Sequence, residues 1–433
     1  MSSDTTSAPS RVSRALAWGS TRRADILTWI IVLGSFVVGY VAYVRRLPFF
    51  YPDSRYYLAM AYWFGGESQE SARDLTIEFA DAYRVPVPDI DQLFGWGLVQ
   101  PRVVLPALAA LPVRLFGPFG LAATVLVILL AMTIVFTQIL RRRFGNGVAV
   151  TVMLLVNTSY QLMMFNAGML TESLSALWTA LTLLATWAWF RKRSGWLLGA
   201  VALTVVGSAF TRQATFIVAG AFVMAWLLGS LVQRRWSAWG WPALVVAGTA
   251  IVCQVLQTAL FPSFSQLDQF LKKAEVDTLG EAILAVPRMA LQILARDTNT
   301  FLTRDLTLLI LIILAVVGMI LFFRRSESHL LLGAILGTAL YNITNGTPTQ
   351  FRYAVPGLIF FVLAAALTLR AATRGPDPMA ADEAVVGAVD GGAADGGAAD
   401  GGAVDDESIG DESIGDESVD GESAVPDAVP ATK

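Results

Sequence analysis

The chain has 433 residues, of which 55% are hydrophobic and 15% are charged, with a formal net charge of −3. Soluble domains are usually about half apolar and about a quarter charged, so this composition excludes an ordinary soluble protein. A single cysteine and a single histidine exclude an intrachain disulfide and any site that needs several histidines.

The first predicted element is a basic arm, residues 1–25, which contains four arginines and leads into a long apolar segment. No small-residue cleavage site follows, so we expect a cytoplasmic arm and a signal-anchor helix. A helix needs about 20 apolar residues to cross a bilayer, because unpaired backbone groups cannot face lipid. Ten segments are predicted to span: 26–44, 119–140, 147–165, 170–190, 196–211, 213–233, 240–260, 305–323, 329–344 and 353–371.

Basic clusters orient these spans, because cytoplasmic loops are enriched in lysine and arginine. Ten crossings place all the clusters on the inner side together with the arm. Segment 101–116 is apolar but short, and it contains Pro106 and Pro112, so we expect it to be re-entrant or interfacial. The prediction is an all-α, multi-pass protein of the cell membrane with about 10–11 transmembrane helices. Residues 26–374 form its membrane domain.

Two long segments are predicted to lie on the extracytoplasmic side. Residues 45–100 form a large first outer loop, in which acids are interspersed with aromatic residues and prolines, and residues 261–304 form a second. Both contain short amphipathic stretches, which are typical of interfacial helices lying in the headgroup plane.

Residues 375–433 have the composition of a disordered tail. They contain sixteen acidic residues, one lysine and repeats such as DGGAADGGAAD and DESIGDESIGDES. The rest of the chain is left with 30 basic and 18 acidic residues, so it is basic as a whole. We expect the tail to be cytoplasmic.

Two acids are candidate site residues. Asp53 precedes a helix predicted from Ser54; it is placed to act as a general base or metal ligand, but an acid at this position is equally typical of a helix N-cap. Glu172 stands at the outer start of a long apolar helix, where an ionisable residue is costly and usually functional. Its alternative role is that of a first-turn glutamate favoured by the helix dipole. The topology places both acids on one face, so we expect them to share one cation or one substrate.

Three arginines, Arg102, Arg212 and Arg352, are predicted at the same face. A guanidinium group binds phosphate oxygens through two parallel hydrogen bonds, whereas the alternative is a side chain that extends to lipid headgroups. We find no glycine-rich phosphate loop and no Ser-His-Asp set in the sequence. The basic residues follow the inner membrane edge, so we expect membrane lipids and no nucleic acid as partners. No cofactor is required, although a divalent Mg²⁺ or Mn²⁺ ion at Asp53 and Glu172 is compatible with the pattern.

The acid in the first outer loop, followed by YYLAMA, resembles the polytopic GT-C glycosyltransferases. These include protein O-mannosyltransferases, the lipid A aminoarabinose transferase and actinobacterial and archaeal sugar transferases. Four later segments are also similar to these families: PRVVLPALAALPVRLFG, MLTESLSALWTALTLLA, TRQATFIVAGAFVMAWLL and FRYAVPGLIFFVLAAAL. The resemblance covers residues 26–371.

The resemblance implies an inverting glycosyltransferase that moves a sugar from a polyprenyl-phosphate donor to a hydroxyl of a glycan, lipid or protein at the extracytoplasmic face. It implies that Asp53 is the base and that Glu172 binds acceptor or metal. Arg212, Arg352 and Arg102 would bind the donor phosphate. Many members have two adjacent acids in the first loop, whereas Ser54 follows Asp53 here. This departure favours a single-carboxylate base over a metal-dependent reaction.

Two other functions remain open on the sequence alone. A transporter or flippase of lipid-linked or small polar solutes needs polar groups at the bilayer midplane, and the predicted midplanes are nearly without charge. A non-catalytic membrane protein of envelope assembly would tolerate the loss of Asp53. Because the ionisable residues gather at one face, the pattern favours an interfacial enzyme.

Overall fold

A computed structural model of the chain describes residues 11–261, 265–345 and 351–373. Within these residues the chain is all α-helical and contains no strand, which confirms the predicted fold class. The predicted tail, residues 375–433, and the first ten residues of the arm lie outside the described residues. The helices are α1 (Arg11–Arg46), α2 (Ser54–Phe64), α3 (Gln69–Asp81), α4 (Ile90–Gly95), α5 (Val104–Phe116), α6 (Phe119–Phe144), α7 (Asn146–Thr158), α8 (Tyr160–Ala167), α9 (Glu172–Lys192), α10 (Gly195–Ala209), α11 (Thr215–Gln233), α12 (Gly240–Leu260), α13 (Gln266–Ala274), α14 (Leu279–Arg304), α15 (Leu306–Leu321), α16 (Ser326–Asn345), the 3-10 helix (Arg352–Gly357) and α17 (Leu358–Ala372).

Six of the described helices are long and apolar enough to cross a membrane: α1 from Arg22, α6, α9, α11, α12, and the 3-10 helix with α17. Two bent pairs, α7 with α8 at 72° and α13 with α14 at 61°, raise the number to as many as eight if each is one broken span. The chain is thus a multi-pass membrane protein with fewer full-length spans than the ten predicted. The predicted spans at 196–211 and 305–323 are apolar helices of only 15 and 16 residues, α10 and α15. A helix of that length reaches about 23–24 Å, which is less than the roughly 30 Å of a bilayer core.

The break between α7 and α8 has a specific cause. Asp305, at the start of α15, accepts hydrogen bonds from the Ser159 hydroxyl and from the backbone N–H of Gln161, both at 2.7 Å. Its other oxygen accepts from the backbone N–H of Leu308 at 3.0 Å. One buried carboxylate therefore caps the starts of two helices and fixes the bend, which the apolar pattern of 147–165 did not predict.

The first outer loop is a packed layer. Its two predicted amphipathic helices are α2 and α3, but α2 packs against α3, α4 and α5 and is buried from Tyr56 to Tyr62. Helix α2 is therefore not an amphipathic helix with one free face, because both of its faces contact other helices. Segment α5 has 13 residues, about 20 Å, so it is too short to span.

The C-terminal helix α17 lies at the centre of the bundle, where residues Leu358 to Leu367 are all buried. Next to it, α11 and α16 cross so closely that a Cβ on Gly333 would lie 2.2 Å from the carbonyl oxygen of Gly220. Small residues permit such close backbone contact between membrane helices. Arg352 begins the 3-10 helix that leads directly into α17, so it lies at the entrance of this central helix.

Candidate functional site

Asp53 occupies the N-cap position of α2, but its side chain makes no capping hydrogen bond. The carboxylate instead accepts a hydrogen bond from Nη2 of Arg352 at 2.6 Å. The N-cap interpretation of Asp53 was therefore wrong. The side chain is 28% exposed, so a ligand can reach it.

Arg352 joins the two candidate acids. Its Nε donates to Oε1 of Glu172 at 2.5 Å, while its Nη2 binds Asp53. Because one guanidinium contacts both carboxylates, Asp53 and Glu172 are neighbours, as the predicted topology requires. The same Glu172 oxygen also accepts from Nη1 of Arg212 at 2.7 Å. Four of the five candidate residues thus form one ion-pair network.

Burial divides this network into a sealed part and a reachable part. Glu172 is 0% exposed and Arg212 is 1% exposed, so this pair is shut off from solvent. The Arg212 guanidinium also stacks 5.2 Å from the ring centre of Tyr353. Arg352 has 23% of its side chain exposed, which places it, with Asp53, on the reachable side.

Arg102 joins the site indirectly. It is 4% exposed, and its Nη1 donates to the hydroxyl of Tyr57 at 2.8 Å. Tyr57 follows Asp53 by four residues, so both side chains lie on the same face of α2. Tyr57 was not among the residues predicted for the site, although its spacing of four residues from Asp53 can be read from the sequence.

The site contains three arginines and two acids, and therefore carries an excess of one positive charge. Burial raises the pKa of Asp53, but Arg352, followed by Arg102 and Arg212, outweighs burial and holds the pKa below its ordinary value. Asp53 is consequently an ionised carboxylate at neutral pH. An anionic ligand is the natural complement of the surplus positive charge.

A divalent metal does not fit these residues. Among the described residues, no group of three or more His, Cys, Asp or Glu side chains is arranged to hold a metal ion. Mg²⁺ and Mn²⁺ need several oxygen ligands, whereas both acids already bind arginine. A divalent cation among three guanidinium groups would also be repelled, so we derive no chemistry through one.

The backbone before Arg352 is strained. Phe351 has φ +75°, a left-handed conformation that is rare for a bulky residue. Its ring is buried and packs edge-on against Phe361, 5.1 Å between ring centres. Strained residues of this kind persist where surrounding packing fixes them, often at functional sites. Here the turn brings Arg352 to the two acids.

Comparison with known proteins yields no relative: no protein-family model, no curated protein and no solved structure matches the chain. The fold and the site define an all-α, multi-pass membrane protein with a buried arginine–carboxylate network. Its function has to be inferred from the chemistry of that network.

Proposed function

We propose that this protein is a membrane glycosyltransferase that moves a sugar from a polyprenyl-phosphate donor to an acceptor hydroxyl, with inversion at the anomeric carbon. One observation carries the proposal: Arg352 bridges Asp53 and Glu172 in a network with a surplus positive charge. Such a transfer needs a reachable carboxylate next to fixed cations, and Asp53 and Arg352 meet that need.

In the proposed reaction Asp53 accepts the proton of the acceptor hydroxyl while the hydroxyl oxygen attacks the anomeric carbon. The bond between that carbon and the phosphate oxygen breaks, and the lipid phosphate leaves with its electron pair. Arg352 and Arg102 stabilise the negative charge that grows on the leaving oxygen.

Donor binding would also change the basicity of Asp53. In the free protein Arg352 lowers the pKa of Asp53 against the opposing effect of burial, so the carboxylate is a weak base. A donor phosphate competes with Asp53 for the Arg352 guanidinium, because both are acceptors for the same N–H groups. Weakening of the Asp53–Arg352 contact raises the pKa of Asp53 when the base is needed.

A lipid-borne donor requires an apolar approach to the site. Helix α14 exposes large apolar side chains along its length, among them Leu284 at 82%, Leu291 at 68% and Leu294 at 63%. Exposed apolar faces of this kind contact lipid in a membrane protein. We propose that the reaction takes place at the extracytoplasmic face of the cell membrane, on a glycan, lipid or protein acceptor.

Sugar transfer from radiolabelled polyprenyl-phosphate sugars tests the proposal in membranes that contain wild-type or variant protein. Asp53→Asn keeps the shape of the side chain and removes the base, so we expect a loss of about 10²–10⁴-fold. Asp74→Asn, in the same loop with a side chain 77% exposed, is the matched control and should retain activity.

Equal transfer by wild type and a normally inserted Asp53→Asn protein would exclude Asp53 as the base. Absence of transfer from every donor would refute the glycosyltransferase and leave the other two functions. The α7–α8 break is a feature that transporters share, since discontinuous helices often form their binding sites. Asp305 ties that break to α15, however, and so favours a fixed bend.

A further inference from the structure

Buried polar atoms are concentrated around the Glu172–Arg212 pair. The hydroxyls of Thr171 and Ser175, Oε2 of Glu172, Nε of Arg212 and Oε1 of Gln213 have no hydrogen-bond partner among the described residues. All five residues, which we call the polar cluster, are at most 7% exposed. Native proteins have only a few such atoms per hundred residues, so their concentration in two short segments calls for a ligand.

Three other hydroxyls on the same helix do not behave in this way, whereas that of Ser173 also lacks a partner among the described residues. Thr179, Thr182 and Thr186 are as deeply buried, and each donates to the backbone carbonyl four residues earlier, at 2.9–3.1 Å. The corresponding bond from the Ser175 hydroxyl to the Thr171 carbonyl is not formed among the described residues, and that carbonyl accepts the backbone N–H of Ser175. Ser175 lies four residues after Thr171, the N-cap of α9, and three after Glu172, so its side chain is a neighbour of both.

The donors and acceptors in the polar cluster specify the kind of ligand. The free oxygens of Glu172 and Gln213 accept hydrogen bonds and need donors, whereas Nε of Arg212 donates and needs an acceptor. An ionised phosphate supplies acceptors only, and so cannot satisfy the two oxygens. Hydroxyl groups supply both, and Thr171 and Ser175 can pair with them in either direction.

We propose that the polar cluster, which is closed in this structure, opens to bind the sugar ring of the lipid-linked donor, with the phosphate lying on the side of Arg352 and Arg102. In this we rely on the glycosyltransferase function proposed above. Glu172 is then a ligand for sugar hydroxyls, held in place by Arg212, and its charge does not have to take part in proton transfer. Selection between sugars depends on which hydroxyls reach Glu172 and Gln213.

Binding to the purified full-length protein in lipid nanodiscs tests this proposal. The probes are polyprenyl phosphate without a sugar and the same lipid carrying mannose, glucose, galactose or arabinose. We expect at least one sugar-bearing lipid to bind wild-type protein about tenfold more tightly than the bare phosphate. Ser175→Ala and Gln213→Leu should each reduce that affinity about tenfold, since each removes a neutral hydrogen bond, and leave the bare phosphate unaffected.

Thr186→Val is the matched control, because its hydroxyl is already satisfied by the helix backbone; affinity for both kinds of lipid should be unchanged. The proposal is overturned if wild-type protein binds bare polyprenyl phosphate as tightly as every sugar-bearing lipid, which is the result expected of a cluster that holds only water. It is also overturned if the two variants weaken both kinds of lipid equally, or raise the KM of the acceptor alone. Transfer by wild-type protein together with any of these results would leave the proposed function intact and refute only the sugar site.

Discussion

Neutralising Glu172 should cause a large loss of stability. Glu172 is 0% exposed, and one of its oxygens accepts hydrogen bonds from both Arg212 and Arg352. Glu172→Gln keeps the shape of the side chain but leaves the Arg212 guanidinium, 1% exposed, without a counter-ion. Removing one partner of a buried ion pair typically costs about 3–5 kcal/mol. Arg352 is partly exposed and keeps Asp53, so we expect a value near the lower end, about 3 kcal/mol.

Denaturant titration in mixed micelles, followed by tryptophan fluorescence, measures this free energy of unfolding. The double variant Glu172→Gln with Arg212→Met removes both charges, and we expect the two substitutions to couple by about 1–3 kcal/mol. Glu78→Gln, at an exposed acid on α3, should stay within about 0.5 kcal/mol of wild type. A Glu172→Gln protein as stable as the Glu78→Gln control, with additive effects in the double variant, would refute the buried pair.

Three further predictions concern other parts of the structure. Tyr57→Phe removes the hydrogen-bond acceptor of Arg102 and should lower the free energy of unfolding by about 1–3 kcal/mol in the same titration. Unchanged stability would mean that Arg102 is solvated instead. Gly333→Ala should destabilise the α11–α16 crossing by about 1–3 kcal/mol, because its Cβ would meet the Gly220 carbonyl; unchanged stability would argue against so close a contact. Burial raises the pKa of Asp53, but Arg352 outweighs burial and holds the folded-state pKa below the ordinary value of 3.8. The stability contributed by this ion pair is therefore complete above about pH 4. It is lost as the pH falls through the folded-state pKa of Asp53. The kcat/KM for sugar transfer, which reports the free enzyme, should therefore show no acidic limb from Asp53 between about pH 5 and 8. A limb in that range that the Asp74→Glu control leaves unchanged would contradict the assignment.

The charged residues of the site were accessible from sequence because an ionisable residue at the end of an apolar run is costly and therefore conspicuous. Asp53, Glu172, Arg212 and Arg352 were identified in this way, and the topology placed the two acids on one face. The ion pairs between acids and arginines were not accessible, since they join positions 40 to 299 residues apart through helix packing. The capping role of Asp53 could be excluded only from the structure, in which its carboxylate binds Arg352 and makes no capping hydrogen bond.

The polar cluster was missed for a different reason. Hydroxyl and amide side chains are common in membrane helices, where most of them bond to their own backbone, as Thr179 does. Only the structure distinguishes Ser175, which does not. The described residues contain six to eight candidate spans against the ten predicted, because apolar length alone revealed neither the capped break at Ser159 nor the short lengths of α10 and α15.

The bridge made by Arg352 also sets an order in which the site is assembled during synthesis. Arg212 follows Glu172 by 40 residues, whereas Arg352 follows Asp53 by 299. At about 5–20 residues per second, the ribosome makes Asp53 roughly 15–60 s before its partner. The first acid therefore waits without its counter-ion while the intervening helices enter the membrane. A chain that is terminated before Arg352 would have most of its helices and an unfinished site.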